Sequence, residues 1–272
     1  MTAGKFRFGV VAAARQGAAQ WRETARRAED LGYSTLLSPD SLDAPTPTAA
    51  LAVAATATSE LRVGSFVLAS PLRTPRAAAW EAHSLSVLTD RRFELGIGTG
   101  IPAMREAAAE LGLPYGTGKE RLAQVADTIS HVRRLDGEEH TPVMVAAGGP
   151  RARRLAGERA DIVTLADGVL TSRADFAEHA AEVRAAAGER EVELAMNIFV
   201  VGDQVPPQVR SFIAVDADTL RAHESLTIVP ADPSALADEL ERRREEYGIS
   251  YVSVNGAFIE AFAPAVARLR GH

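Results

Sequence analysis

A single-domain (β/α)8 TIM barrel is the fold that this 272-residue sequence predicts, on three observations. Short β-branched runs alternate with longer Ala/Arg/Glu-rich segments, the pattern of βαβ units that build a parallel sheet. Eight such runs can be counted, the number a closed α/β barrel requires. Runs such as VMVA and IVTL are apolar on both faces, as a strand between barrel interior and helix layer must be.

In chain order, the expected strands are Phe6–Ala12, Thr35–Ser38, Arg62–Leu68, Arg92–Gly98, Val143–Ala147, Asp161–Leu165, Val192–Val200 and Tyr251–Val254. Thr46-Pro47, Thr74-Pro75 and Asp232-Pro233 each place a capping oxygen before a proline, the signature of a helix start. Gly32 and Gly248 are expected helix stops. The charged helix near Ala235–Tyr247 reads as a solvated face laced with Glu–Arg pairs. Two stretches break the rhythm, Gly100–Gly118 and Gly202–Asp218. Both follow strands on the face where active-site loops lie, so both are lid or substrate-loop candidates, or else ordinary surface insertions. With no repeat, linker or composition break, one domain over residues 1–272 is expected.

Composition narrows the function. Net charge is -6, which supplies no broad positive field for nucleic acid or an anionic membrane. There are no cysteines, which excludes disulfides, iron–sulfur clusters, thiolate zinc sites and a Cys nucleophile. The six histidines show no metal-ligand spacing, and His83 reads as a packed or interface side chain. The start, MTAGKFRFGVV, enters a strand without a signal-peptide pattern, so a cytoplasmic enzyme is expected. The longest apolar stretch, around Ala49 to Ala57, is too short to span a bilayer.

Four segments can carry chemistry. In VMVAAGGPR an apolar strand ends at Gly148 and Gly149, and Pro150 opens a helix. Bare glycines let a ligand approach the backbone, and the helix start offers free N–H groups to an anion such as phosphate. The same glycines would also serve plain strand-to-helix packing. ELGIGTG, ending at Thr99 and Gly100, has G-x-G-x-G spacing, unlike the G-x-G-x-x-G of a dinucleotide fold. RVGSFVLASPLRTP carries a glycine inside a strand, which marks a bulge or a close backbone approach. In SPDSLD, Asp40 could bond a ligand or cap its own loop.

Together with WRETARRAEDLGYSTLLSPD and ELERRREEYGISYVSV, these segments resemble the luciferase-like monooxygenase superfamily of flavin- and deazaflavin-dependent barrels. The likeness covers nearly the whole chain and is nearest to short, actinobacterial-type members that use coenzyme F420. The resemblance implies a non-prolyl cis peptide at Phe66-Val67, with Phe66, Val67 and Leu68 against the cofactor ring. It implies Thr99 and Gly100 beside that ring, a phosphate grip at Ala146, Ala147, Gly148, Gly149 and Pro150, and Asp40 as an acidic group near the cofactor. Two positions depart from the pattern. Ser41 stands where many members have a catalytic histidine, and Ile101 where the family's sugar-phosphate dehydrogenases have a glutamate. Asp40 and Ser41 remain the candidates for handling a proton.

The expected function is F420-dependent hydride transfer to or from a small organic substrate, in natural-product or secondary metabolism. The alternative is an FMN-dependent monooxygenase using reduced flavin and oxygen, and a third reading is a cofactor-binding barrel without turnover. A homodimer is implied by the resemblance. The Ala-rich helices Thr48–Thr58 and Pro75–Leu88 could meet a partner or pack on their own barrel.

Overall fold

The computed structural model describes residues 4–272. The expectation about a leader segment rests partly on residues 1–3, which lie outside the described residues. The strands are β1 (Arg7–Val11), β2 (Thr35–Ser38), β3 (Arg62–Ser65), β4 (Leu68–Ala69), β5 (Phe93–Gly98), β6 (Val143–Ala147), β7 (Ile162–Leu165), β8 (Glu193–Ile198), β9 (Val200–Val201), β10 (Ile228–Val229) and β11 (Ile249–Asn255). Between them run α1 (Gly17–Asp30), α2 (Pro47–Thr56), α3 (Pro75–Leu88), α4 (Met104–Glu110), α5 (Gly118–Asp136), α6 (Pro150–Arg159), α7 (Arg173–Ala187), α8 (Pro207–Ile213), α9 (Ala217–Ala222) and α10 (Pro233–Tyr247). The helix α11 (Ile259–Leu269) follows the last strand.

All the strand pairs are parallel, in the order β3-β2-β1-β11-β8-β7-β6-β5-β4, and a β3–β5 pairing closes the ring. Counting β3 with β4 as one interrupted stave gives the closed eight-stranded (β/α)8 barrel. The third stave is broken where a single strand was expected over Arg62–Leu68, because the Phe66-Val67 peptide is cis and the ladder skips it. The seventh was expected to run to Val200. Instead β8 stops at Ile198, and β9 leaves to pair with β10 in a separate two-stranded sheet. With α8 and α9 this sheet encloses its own small core of Val200, Val205, Val209, Ile213, Leu220 and Ile228.

Strand alternation sorts the barrel interior into levels. At the N-terminal end lie Arg7, Arg62, Glu94 and Glu193. Glu94 Oε1 accepts from Arg7 and Arg62, both at 2.6 Å, and Arg7 also donates to Glu193 at 2.7 Å. The Arg7 guanidinium stacks 3.7 Å from the Tyr251 ring centre. Burial disfavours charge on Arg7, but the carboxylates, Glu94 first, outweigh it and hold the proton more tightly than in free arginine. Above this level Leu37, Met144, Ile162, Ala195 and Tyr251 fill the centre. Gly96 is required here, because a Cβ would collide with the Ser65 carbonyl across the β3–β5 pairing.

The helix signals hold at most positions. Thr74 and Asp232 accept from the amides of Ala77 and Ala235, and Gly248 takes a left-handed cap at φ 69°. Thr46 makes no side-chain cap bond, so there the proline alone marks the start. The α10 face was expected to be solvated, yet Arg243 is 1% exposed. Its guanidinium donates to the carbonyls of Leu226 and Ile228 and to Glu239, tying α10 to β10 and the loop before it. His83 is bonded to Asp136 at 2.6 Å. Among the described residues no helix is long and apolar enough to cross a membrane.

Candidate functional site at the C-terminal mouth of the barrel

In a (β/α)8 barrel the strands' C-terminal ends and the loops after them form the chemical face. The ends of β2, the β3–β4 stave, β5 and β6 are consecutive around this rim, and nearly all the candidate residues fall on them. Val67 lies over β5, its methyl groups 3.1 and 3.0 Å from where Cβ atoms on Gly96 and Gly98 would stand. Gly98 pairs with Ala146 on β6, and Leu68 pairs with Ile97. Phe66, Val67, Gly98 and Ala146 thus make one smooth wall of small and apolar groups.

Thr99 and Gly100 leave β5 at the same level. Gly100 has φ 71°, a left-handed conformation costly for other residues, and a Cβ there would sit 3.2 Å from Pro71. The Thr99 carbonyl accepts from Arg121 at 2.8 Å. Arg121 also stacks 4.1 Å from the centre of Tyr115, whose other neighbour, Arg105, lies 4.6 Å away. The Tyr115 hydroxyl donates to the Ile101 carbonyl at 3.0 Å. The Gly100–Gly118 segment is therefore latched onto the rim.

At the β6–α6 turn the two glycines have different duties. A Cβ on Gly148 would stand 2.9 Å from the Ala166 carbonyl, so this glycine allows close packing of β6 against the segment after β7. Around Gly149 nothing lies within 4 Å of an added Cβ. Gly149 is the N-cap of α6 and Pro150 its first residue, so the amides of the first turn lack helix partners. Arg153, only 5% exposed, donates to the Gly148 carbonyl at 3.0 Å and to Glu182 at 2.6 Å. These bonds turn that carbonyl toward the helix layer. Open space in front of Gly149 and unpartnered amides behind it are the features that anion sites at helix starts use.

The acidic candidate is firmly engaged. Asp40, 8% exposed, accepts from Arg73 through both carboxylate oxygens, at 2.6 and 3.0 Å, and from the Ala69 amide at 2.9 Å. Burial works against charge on Arg73, but the bonds and charge of Asp40 prevail, and Arg73 keeps its proton more firmly than usual. Asp40 thereby ties the end of β2 to the end of β4. Ser41 turns away from it and donates its hydroxyl to Asp43, which also pairs with Arg15. The bonds from Ser41, then Arg15, lower the proton affinity of Asp43.

The other half of the rim escaped sequence reading. Alternation from the interior residues Ile162, Ala195 and Tyr251 turns Thr164, Asn197, Ser253 and Asn255 inward on β7, β8 and β11. Arg73 and Arg153 also went unnoticed, since each acts through a partner on another element. A cleft of about 1050 Å³ opens beside this half, lined by Asp203, Val205, Arg210, Asp216 and Phe258 among others. Among the described residues no group of three or more His, Cys, Asp or Glu could hold a metal ion.

The chain can be placed among known proteins on this geometry. An F420-dependent glucose-6-phosphate dehydrogenase of Intrasporangium calvum is 30% identical over 166 residues, covering 50% of this chain and 50% of that protein. The chain thus spans about half the length of that relative. The enzyme of the same name from Nakamurella multipartita is 25% identical, covering 90% of this chain and 80% of that protein. The structure of the coenzyme F420-dependent tetrahydromethanopterin reductase from Methanopyrus kandleri superposes with a TM-score of 0.76, over 97% of this chain and 98% of that one. At 15% identity that likeness establishes the fold. A family model described as luciferase-like monooxygenase matches residues 5–246, and the chain is a member of that family.

Proposed function

We propose that the protein is an F420-dependent oxidoreductase that transfers a hydride between the deazaflavin and a small organic substrate. The observation that carries this reading is the bare, unfilled space at Gly149 before the first turn of α6. The F420-dependent relatives and the F420-dependent structural neighbour support the choice of cofactor. When bound, the deazaflavin supplies a carbon centre that gives or accepts a hydride.

The chain's own residues do the rest. Gly149, with the amides that follow Pro150, grips the phosphate, and Ala146, Ala147 and Gly148 shape the turn. Phe66, Val67, Leu68, Thr99 and Gly100 support one face of the ring. Asp40, pinned by Arg73, fixes the rim beside the ring. Ser41, released from Asp43, exchanges a proton with the substrate side. A homodimer belongs to the same reading, supported by the apolar face of α3, where Trp80 is 69% and Leu88 78% exposed. The cytoplasm is its expected location.

A second reading, an FMN-dependent monooxygenase, is favoured by the description of the matching family model. Fluorescence titration of F420 and FMN in parallel, with oxygen uptake measured on the reduced complexes, separates the two. The first reading expects tight F420 binding and no substrate-coupled oxygen uptake. FMN-only binding with coupled oxygen uptake would refute it.

A further inference from the structure

The barrel mouth has two unlike walls. Counting round the closed ring, β8 lies four staves from the β3–β4 stave in either direction, and β11 lies four from β5. Phe66, Val67 and Gly98 therefore look across at Asn197, Ser253 and Asn255, while Thr164 stands beside Ala146, its in-register partner, where the two walls meet. Ser253 pairs in register with Asn197 on the neighbouring strand, and its hydroxyl donates to Asn197 Oδ1 at 2.9 Å. That bond uses the carboxamide's acceptor and leaves its NH2 group, two donors, for the mouth.

Three facts point to a ligand there. The Asn197 NH2 group and the Thr164 hydroxyl have no hydrogen-bond partner among the described residues, although Thr164 is only 5% exposed. Neither atom belongs to the sealed, unpartnered groups of the interior, so both reach open space. No inward position in the upper half of any barrel strand is ionisable. The inward charges, Arg7, Arg62, Glu94 and Glu193, all sit at the opposite end and pair with one another. Asp40, at the rim, is matched by Arg73.

We infer that Asn197, braced by Ser253 and joined by Thr164, is the substrate-specificity element, and that the substrate's reacting group is a neutral carbonyl or alcohol oxygen. This rests on the proposed hydride-transfer function. A ketone takes a hydride at carbon and, at oxygen, a proton passed from solvent by Ser41, to become an alcohol. In both forms the oxygen accepts a hydrogen bond, which the Asn197 donors supply throughout. A carboxylate or phosphate at the same place would be desolvated without a cation to meet it, which is costly. The assignment thus separates this chain from a sugar-phosphate substrate, despite the names of its relatives.

The test uses the full chain and starts with F420 titration of the wild type, Asn197→Asp and Thr164→Val. The wild type is then assayed with reduced F420 against cyclohexanone, 2-butanone, pyruvate and glucose 6-phosphate. Binding of cyclohexanol, pyruvate and glucose 6-phosphate to the F420-loaded protein is followed by the change in cofactor absorbance.

The inference expects at least one neutral ketone to be turned over, and cyclohexanol alone to perturb the spectrum. Asn197→Asp should lower kcat/KM for that ketone at least tenfold, mainly through KM, with F420 affinity within twofold of wild type. Thr164→Val, nearly equal in shape, should raise KM severalfold, and it carries the test if Asn197→Asp does not fold. Preference for pyruvate or glucose 6-phosphate, no turnover of either ketone, or unchanged KM in the variants would overturn the inference alone. A wild-type chain that binds no F420 would remove the proposed function and this inference with it.

Discussion

The carboxylate of Asp40 and the guanidinium of Arg73 meet through two parallel hydrogen bonds, one of 2.6 Å and one of 3.0 Å, in a nearly closed setting at the rim of the barrel. Removing only the cation leaves a buried charge with the Ala69 amide as its main compensation. Arg73→Met should cost about 3–5 kcal/mol. In thermal unfolding this is a fall of order 10 °C for a chain of this size. Asp40→Asn with Arg73→Met should recover part of the loss, and a melting temperature unmoved by Arg73→Met would show that the pair contributes nothing.

The two glycines of the β6–α6 turn should separate in experiment. Gly149→Val adds its side chain to open space, so the melting temperature should stay within a few degrees while cofactor affinity drops at least tenfold, about 1.4 kcal/mol. Gly148→Ala should instead destabilise the protein itself, because its Cβ meets the Ala166 carbonyl at 2.9 Å. Equal affinity in wild type and Gly149→Val would remove the phosphate from this turn.

Gly96 faces the harshest steric limit in the barrel. Gly96→Ala drives a Cβ into the Ser65 carbonyl, and two backbones must move apart. A loss of about 3 kcal/mol or more in urea unfolding is expected, at the upper end of overpacking costs. A loss below about 1 kcal/mol would mean that the β3–β5 contact is looser than described.

Glu239 gives the protein an acid-sensitive joint. Burial opposes its charge, but Arg243, Arg242 and Arg173 lower its proton affinity below the usual glutamate value of 4.5. A folded-state pKa below the unfolded one stabilises the protein above that value, and the benefit fades as pH falls through the folded pKa. Melting curves should therefore decline below about pH 5, and Glu239→Gln should flatten that decline while lowering the melting temperature at pH 7. A variant with an unchanged acid limb would exclude Glu239 as its source.

The barrel was legible in the sequence because its strands are short apolar runs in a regular rhythm, and the glycine turn because two residues without side chains break such a run just before a proline suited to open a helix. What stayed hidden depends on partners distant in sequence. Arg243 looks solvated in a row of alternating charges, and only the position of β10 and the loop before it turns it inward. Asp40 and Arg73 are 33 residues apart, and no local pattern joins them. Asn197 sits in a strand of otherwise ordinary alternation. Its meaning appears only when ring closure sets it across from Val67. The strands β9 and β10, two residues each, are too short to leave any periodicity.

The small β9–β10 sheet faces two ways: Val200 and Ile228 join α8 and α9 in a cluster of their own, while Val201 and Val229 root the sheet in the barrel's main core. An appendage with a small core of its own and only a few anchors below can be altered much as a tool is changed on a fixed handle. Grafting a different excursion between Ile198 and Pro230 that kept two apolar anchors at Val201 and Val229 would reshape one flank of the entrance, while the eight staves and the glycine turn two staves away kept their places. A new entrance can thus be built by exchanging a cap, with little redesign of the vessel beneath it.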